Sequence, residues 1–291
     1  MSWRTVIISS RAKLDYKMNY LIIRREETSK IYLNEISTLI IENTGVSLTA
    51  YLLSELIKRK IKVIFCDEKR NPQSELISYY GSHDCSAKIK NQINWDCNTK
   101  KFVWTEVVRE KIYNQMCFLR ELSRKTEAEL LESYLNELEF DDATNREGFA
   151  AKVYFNALFG HNFTRTEENN INAALNYGYT ILLSAFNREI TANGYLTQIG
   201  IFHDSMFNSF NLASDLMEPY RILVDREVYW MDLKEFTKKD KQELVDVLNK
   251  EVVIDGKRHF VNNAITIYCK SVFNALNEND ISHIRHYRYE L

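Results

Sequence analysis

Ser47-Leu-Thr-Ala-Tyr-Leu-Leu-Ser-Glu-Leu-Ile-Lys-Arg-Lys60 runs straight into Ile61-Lys-Val-Ile-Phe-Cys66. The first part carries Leu48, Tyr51, Leu52, Leu56 and Ile57 at the spacing of one helical face. Lys58, Arg59 and Lys60 then supply positive charge at the negative end of the helix dipole. The second part is a short run of Val, Ile and Phe, which has the composition of a strand. Upstream, Thr5–Ile8, Asn19–Arg24, Lys30–Asn34 and Thr38–Ile41 are further strand-like runs, and turn formers at Glu26–Ser29 and Glu42–Gly45 separate them. These residues predict a compact β domain with one helix packed on it.

Downstream the character changes. Asp67–Asn98 holds Lys69-Arg70-Asn71-Pro72, Gly81-Ser82-His83-Asp84 and, at its end, Asp96-Cys97-Asn98-Thr99, and it reads as an irregular connection. From about Phe102 the periodicity is helical. The expected helices are Val103–Lys125, Glu127–Leu138, Thr144–Phe159, Glu167–Ile190, Gly200–Met217, Lys238–Asn249 and His259–Leu276. Asn193-Gly194 suits a left-handed cap. The expected layout is a β-rich N-terminal domain over residues 1–72, a connection over 73–100 and a helical domain over 101–291.

Composition narrows the function. With 291 residues, 45% of them hydrophobic, the chain has material for a substantial core, and 8 Gly and 2 Pro exclude collagen-like and linker-dominated readings. A formal net charge of −2 does not announce a strongly basic nucleic-acid binder. Any DNA contact must come from local patches. Lys58–Lys62, Lys69-Arg70, Lys100-Lys101, Lys238–Lys241 and Lys257-Arg258 are short basic clusters, which most often are solvated faces. The C-terminal run Ile281-Ser-His-Ile-Arg-His-Tyr-Arg-Tyr mixes cations with aromatics and suits either phosphate and base contacts or an exposed tail. The five Cys show no C-x-x-C pair, which fits reduced thiols. The N-terminus has no signal-peptide layout, and no apolar run has the length of a membrane span, so a soluble intracellular protein is expected. There is no Gly-x-Ser-x-Gly elbow and no phosphate-binding G-x-x-x-x-G-K-[ST] loop.

Two stretches carry the candidate chemistry. In Asp142-Ala-Thr-Asn-Arg-Glu147-Gly148, Thr144 and Glu147 fit a capping box, although a first-turn carboxylate beside a small glycine also suits a cleft. In Gly200-Ile-Phe-His203 through Asp215-Leu-Met-Glu218-Pro219-Tyr220-Arg221, His203, Asn211, Asp215 and Glu218 are separated by 8, 4 and 3 residues. Those spacings place them near one side of a continuous helix. Buried polar groups need partners, so the ladder suits either a site or a hydrogen-bonded core histidine with a Glu218–Arg221 ion pair. Two carboxylates and one imidazole suit magnesium or manganese.

Arg146-Glu147-Gly148-Phe-Ala-Ala-Lys-Val-Tyr154-Phe155, Asn172-Ala-Ala-Leu-Asn176-Tyr177-Gly178-Tyr179-Thr-Ile-Leu and the His203 to Arg221 stretch together resemble the CRISPR-associated spacer integrase family, the adaptation-stage endonuclease. The likeness spans essentially the whole chain and is nearest to the short bacterial members of type II systems. It implies an α+β fold with a small N-terminal β-sandwich that mediates homodimerisation, followed by a larger all-α catalytic domain. It implies that Glu147, His203 and Glu218 are catalytic and ligate Mg2+ or Mn2+; many relatives have Asp at the last position. Asp215 falls where the family has an acidic residue close to the ligands, which implies a supporting or supplementary ligand, and the likeness implies Arg146, Tyr154 and Arg221 as neighbours of the DNA phosphates. The implied reaction is attack by a donor DNA 3′-hydroxyl on a phosphodiester at the edge of a CRISPR repeat. The implied partners are donor and repeat DNA, a small ferredoxin-like protein and other adaptation proteins of a type II system, in the bacterial cytoplasm. Two alternatives share these residues: a stand-alone metal-dependent nuclease or junction resolvase, and a non-catalytic DNA-binding subunit.

Overall fold

The computed structural model describes residues 4–68, 70–78 and 82–289. Met1 to Trp3, Lys69 of the Lys69-Arg70 cluster and Gly81 of the turn-rich stretch lie outside the described residues. The N-terminal strands are β1 (Arg4–Ile8), β2 (Lys13–Lys17), β3 (Tyr20–Arg24), β4 (Thr28–Tyr32), β5 (Ile36–Ile41), β6 (Ser47–Leu48), β7 (Lys62–Cys66) and β8 (Pro72–Leu76). Helix α1 (Ala50–Lys58) starts later than its apolar spacing suggests, because the Thr49 hydroxyl accepts the Leu52 N–H at 3.2 Å and caps it. Met18 and Asn19, both with positive φ, make the two-residue turn that folds β2 back on β3.

One sheet has the order β1-β5-β7-β8, parallel except for the last pair, and the other has the order β4-β3-β2-β6. Period-2 alternation splits the first sheet between two cores. Val6, Ile8, Leu39, Ile41 and Val63 face the second sheet and α1 across a shared apolar layer, which makes the sandwich. Ile40, Ile64 and Cys66 face the other way, into the core of the helical domain. This is why all six residues of β5 are buried.

Among its described residues, the stretch read as a connection holds regular elements. Pro72–Leu76 is paired antiparallel to β7, and α2 (Cys85–Ile93) and the start of α3 (Cys97–Glu121) lie within 73–100. Asp96 is a helix cap, accepting the Thr99 N–H at 2.8 Å. Gln92 on α2 donates to the Leu196 and Ile199 carbonyls and accepts the Leu196 N–H, so its partners lie over a hundred residues further on. No local pattern announces such bonds.

Then come α4 (Lys125–Asn136), α5 (Arg146–Phe159), α6 (Asn170–Ala192), α7 (Asn211–Leu216), α8 (Arg221–Trp230), α9 (Lys238–Asp246), the hairpin β9 (Glu251–Ile254) and β10 (Lys257–Phe260), and α10 (Val261–Glu278). Gly194 ends α6 with φ +87°. Gly178 lets α6 and α8 approach closely, since a Cβ there would sit 2.4 Å from Val224. Arg188 on α6 donates to the Lys60 carbonyl at 2.8 Å, which ties this helix to the β domain. The C-terminal run is not an exposed tail: Tyr287 is buried, its hydroxyl donates to the Pro219 carbonyl at 3.0 Å, and Arg288 bridges to Val253. No helix among the described residues is long and apolar enough to cross a membrane.

Candidate active site

Glu147 stands in the first turn of α5, but not as a capping residue. Asn145, with φ 54°, turns the chain into the helix, and the Thr144–Glu147 box does not form. Asp142 does the capping, accepting the Arg146 N–H at 2.7 Å and the Glu147 N–H at 3.1 Å. The Glu147 carboxylate is therefore left to meet the Lys111 Nζ of α3 at 2.5 Å. Glu218 opens a 3-10 turn, Glu218–Tyr220, between α7 and α8. Its Oε2 accepts from the same Lys111 Nζ at 2.6 Å and its Oε1 from the Arg221 Nε at 2.9 Å. Burial alone would raise the Glu218 carboxyl, but the Arg221 guanidinium and the Lys111 ammonium outweigh burial and hold it at about 2. The same balance raises Lys111: burial lowers it, and Glu218 and Glu147 more than offset that.

His203 corrects the expectation of a continuous helix over Gly200–Met217. Only Asn211–Leu216 is helical there, and His203 lies in the preceding loop. Asp215, fully buried on α7, draws the loop back. Its Oδ2 accepts the Ile201 N–H at 2.6 Å and the Phe202 N–H at 3.1 Å, and its Oδ1 accepts the His203 N–H at 3.0 Å. The loop turns so tightly that a Cβ on Gly200 would sit 2.3 Å from the His203 carbonyl oxygen. The His203 Nδ1 lies 2.5 Å from Asp215 Oδ1, so with Nδ1 protonated the other ring nitrogen is left for another partner. The hydrogen bond to Asp215 raises the imidazole, and against the lowering by burial the charges of Asp215, Glu218 and Glu147 push the same way. Phe202, stacked on buried Trp104 at 4.2 Å, fixes the loop from below.

The fold thus draws Glu147, Glu218 and His203 into one region, with Asp215 behind the histidine. Among the described residues no group of three or more His, Cys, Asp or Glu side chains is close enough to hold a metal ion as it stands. The donor set nevertheless fits a divalent cation: a positive centre, the Lys111 ammonium, already lies between two carboxylates at hydrogen-bond distance from both. Asp215 orients the imidazole as carboxylates behind metal-bound histidines do.

Lys111 escaped the sequence reading. Its signal was its position, because residues 104, 108, 111, 115 and 119 form one helical stripe and Trp104, Val108, Gln115 and Leu119 are all buried. A lysine on a core stripe needs an anion. The expected phosphate contacts divide. Tyr154 is wholly buried, packed against Phe155 in the core, and is out of a phosphate's reach. Arg146 pairs with Glu137 at 2.7 Å, its guanidinium over the tilted pair of Tyr134 and Phe149 rings at 5.5 and 5.9 Å. Arg221 remains at the site, bonded to Glu218 and lying over the Tyr179 ring.

The sequence matches the family described as CRISPR associated protein Cas1 over residues 5–260. It is 37% identical over 281 residues to the CRISPR-associated endonuclease Cas1 of Neisseria meningitidis serogroup C (strain 8013), covering 94% of this chain and 92% of the relative. Among solved structures, a casposase bound to integration product is similar with a TM-score of 0.76 at 18% identity, over 96% of this chain and 92% of that one. A chain of a Cas6-RT-Cas1–Cas2 complex gives 0.74 at 19% identity, over 99% of this chain and 36% of that longer one. At these identities the two structures establish likeness of fold alone.

Proposed function

The chain belongs to the Cas1 family of CRISPR-associated proteins, and on that premise we propose that it is a metal-dependent DNA integrase and endonuclease that joins short donor DNA to a CRISPR repeat. The observation that carries the reading is the meeting of Glu147 and Glu218, from α5 and the turn after α7, around one cationic centre. Glu147, Glu218 and the free ring nitrogen of His203 would hold Mg2+ or Mn2+, which would offset the charge developing on the attacked phosphate. The family likeness to an endonuclease, and a fold neighbour captured on its integration product, favour phosphodiester chemistry.

The reaction exchanges one phosphodiester for another. A donor 3′-hydroxyl oxygen bonds to phosphorus and gives up its proton, the opposite P–O bond breaks, and the leaving 3′ oxygen of the cut strand takes a proton to become a free 3′-hydroxyl. The chain's own part is electrostatic and positional. Arg221 and Lys111 place positive charge beside the carboxylates, and Asp215 fixes the face that the imidazole presents. With water in place of the 3′-hydroxyl the same site nicks DNA. We assign the β-sandwich to homodimerisation, and a small ferredoxin-like partner, with other type II adaptation proteins, to the working complex in the bacterial cytoplasm. A fold neighbour that is part of a Cas1–Cas2 assembly supports a complex of this kind.

The test is joining of a 3′-hydroxyl donor to a repeat-containing plasmid, with and without Mn2+. Joined products that require the metal are expected, and Glu147→Ala and His203→Ala should each abolish them while the proteins stay folded. Nicks without joined products would favour a stand-alone nuclease, and full activity in either variant would overturn the site.

A further inference from the structure

We propose that Lys111 is a built-in counter-cation of this site, which a divalent ion must displace from Glu147 and Glu218, so that metal and DNA phosphate load together. The proposal rests on the reading of Glu147, His203 and Glu218 as metal-holding residues.

Charge balance carries it. Glu147 and Glu218 bring two negative charges, and Lys111 and Arg221 bring two positive ones, all joined by bonds of 2.5, 2.6 and 2.9 Å. The cluster is neutral and largely buried, the Lys111 side chain being only 12% exposed. A buried ion is stable only while paired. Adding a divalent ion leaves two positive charges in excess, and the displaced ammonium, tethered to α3, must find another anion. Asp215 cannot serve, because its oxygens already accept three backbone N–H groups and the His203 ring. Asp142 already accepts two backbone N–H groups at the start of α5. A substrate can supply that anion, since each DNA phosphodiester carries one negative charge. Lys111 therefore weakens metal binding to the free protein and strengthens it once DNA is in place. By linkage the metal strengthens DNA binding by the same factor.

The experiment titrates the full chain with Mn2+, reading free Mn2+ by electron paramagnetic resonance, alone and with a short duplex whose 3′ ends are blocked. In the wild type, DNA should tighten Mn2+ binding about tenfold or more. Lys111→Met, similar in length and uncharged, should bind Mn2+ about tenfold or more tighter than wild type without DNA, and DNA should then add little. Lys111→Gln is the substitute if the methionine variant does not fold without metal, with the same expectation. Lys111→Arg, which keeps the charge, should behave as wild type. Unchanged or weaker Mn2+ binding in the neutral variants, or a wild-type affinity indifferent to DNA, overturns the role of Lys111 and leaves the metal site standing. No Mn2+ uptake by any form, with or without DNA, overturns the metal reading and this proposal with it.

Discussion

Asp225 on α8 is almost wholly buried and accepts a hydrogen bond from the Tyr179 hydroxyl. Burial pushes its carboxyl up from the ordinary 3.8 to about 6, against the lowering effect of Tyr179, Tyr154 and Arg221. The folded chain thus holds this proton more tightly than the unfolded chain does. That contribution to stability is complete below about pH 4 and is lost as the pH rises through about 6. Asp225→Asn, neutral throughout, should gain roughly 2–3 kcal/mol on wild type between pH 4 and pH 7, measured by urea unfolding at both. A difference that does not move with pH would sink this account. Such groups show how far single residues are legible in a sequence. Glu147, His203 and Glu218 can be named from their motifs. Which atoms they touch cannot, because Asp142 replaces Glu147 as the cap and Lys111 reaches it from another helix.

The helices and strands themselves are mostly visible as periodic apolar runs, and the elements that are not have more than one cause. Where polar side chains bond to backbone far away in sequence, local propensity is overridden. The Gly200–Met217 stretch has helical spacing, yet Asp215 takes three N–H groups of its first residues and bends them into a loop. Strand β2 was missed because Lys13-Leu-Asp-Tyr-Lys17 buries only Leu14 fully. The loop yields a prediction of its own. A methyl group on Gly200 would meet the His203 carbonyl at 2.3 Å and Asp215 Oδ2 at 2.8 Å, neither of which can yield without opening the turn. Gly200→Ala should therefore displace the imidazole, lowering joining on the order of a hundredfold. The cost in folding stability should be about 1–3 kcal/mol. Parallel joining and urea measurements check this, and wild-type joining would refute it.

At the scale of the molecule, the β-then-helical order was legible from composition, but the seam between the halves was not. Alternation in Ile36–Ile41 shows two apolar faces without saying that one belongs to the sandwich and the other to the helices. The shared sheet makes the two halves one cooperative unit. Ile40→Ala, on the helical side, should cost about 2–4 kcal/mol. The variant should still unfold in one calorimetric transition with equal calorimetric and van't Hoff enthalpies, whereas a second transition would show that the halves unfold separately. The same sheet has a consequence for how the chain is made. Helix α6, which lies against β7 and β8, begins at Asn170, some hundred residues after Cys66 ends β7. At about 5–20 residues per second, a ribosome needs roughly 5–20 s to supply it. Until then the nascent sandwich lacks α6 over the face that carries Ile40 and Ile64, and an apolar surface left waiting in this way favours aggregation.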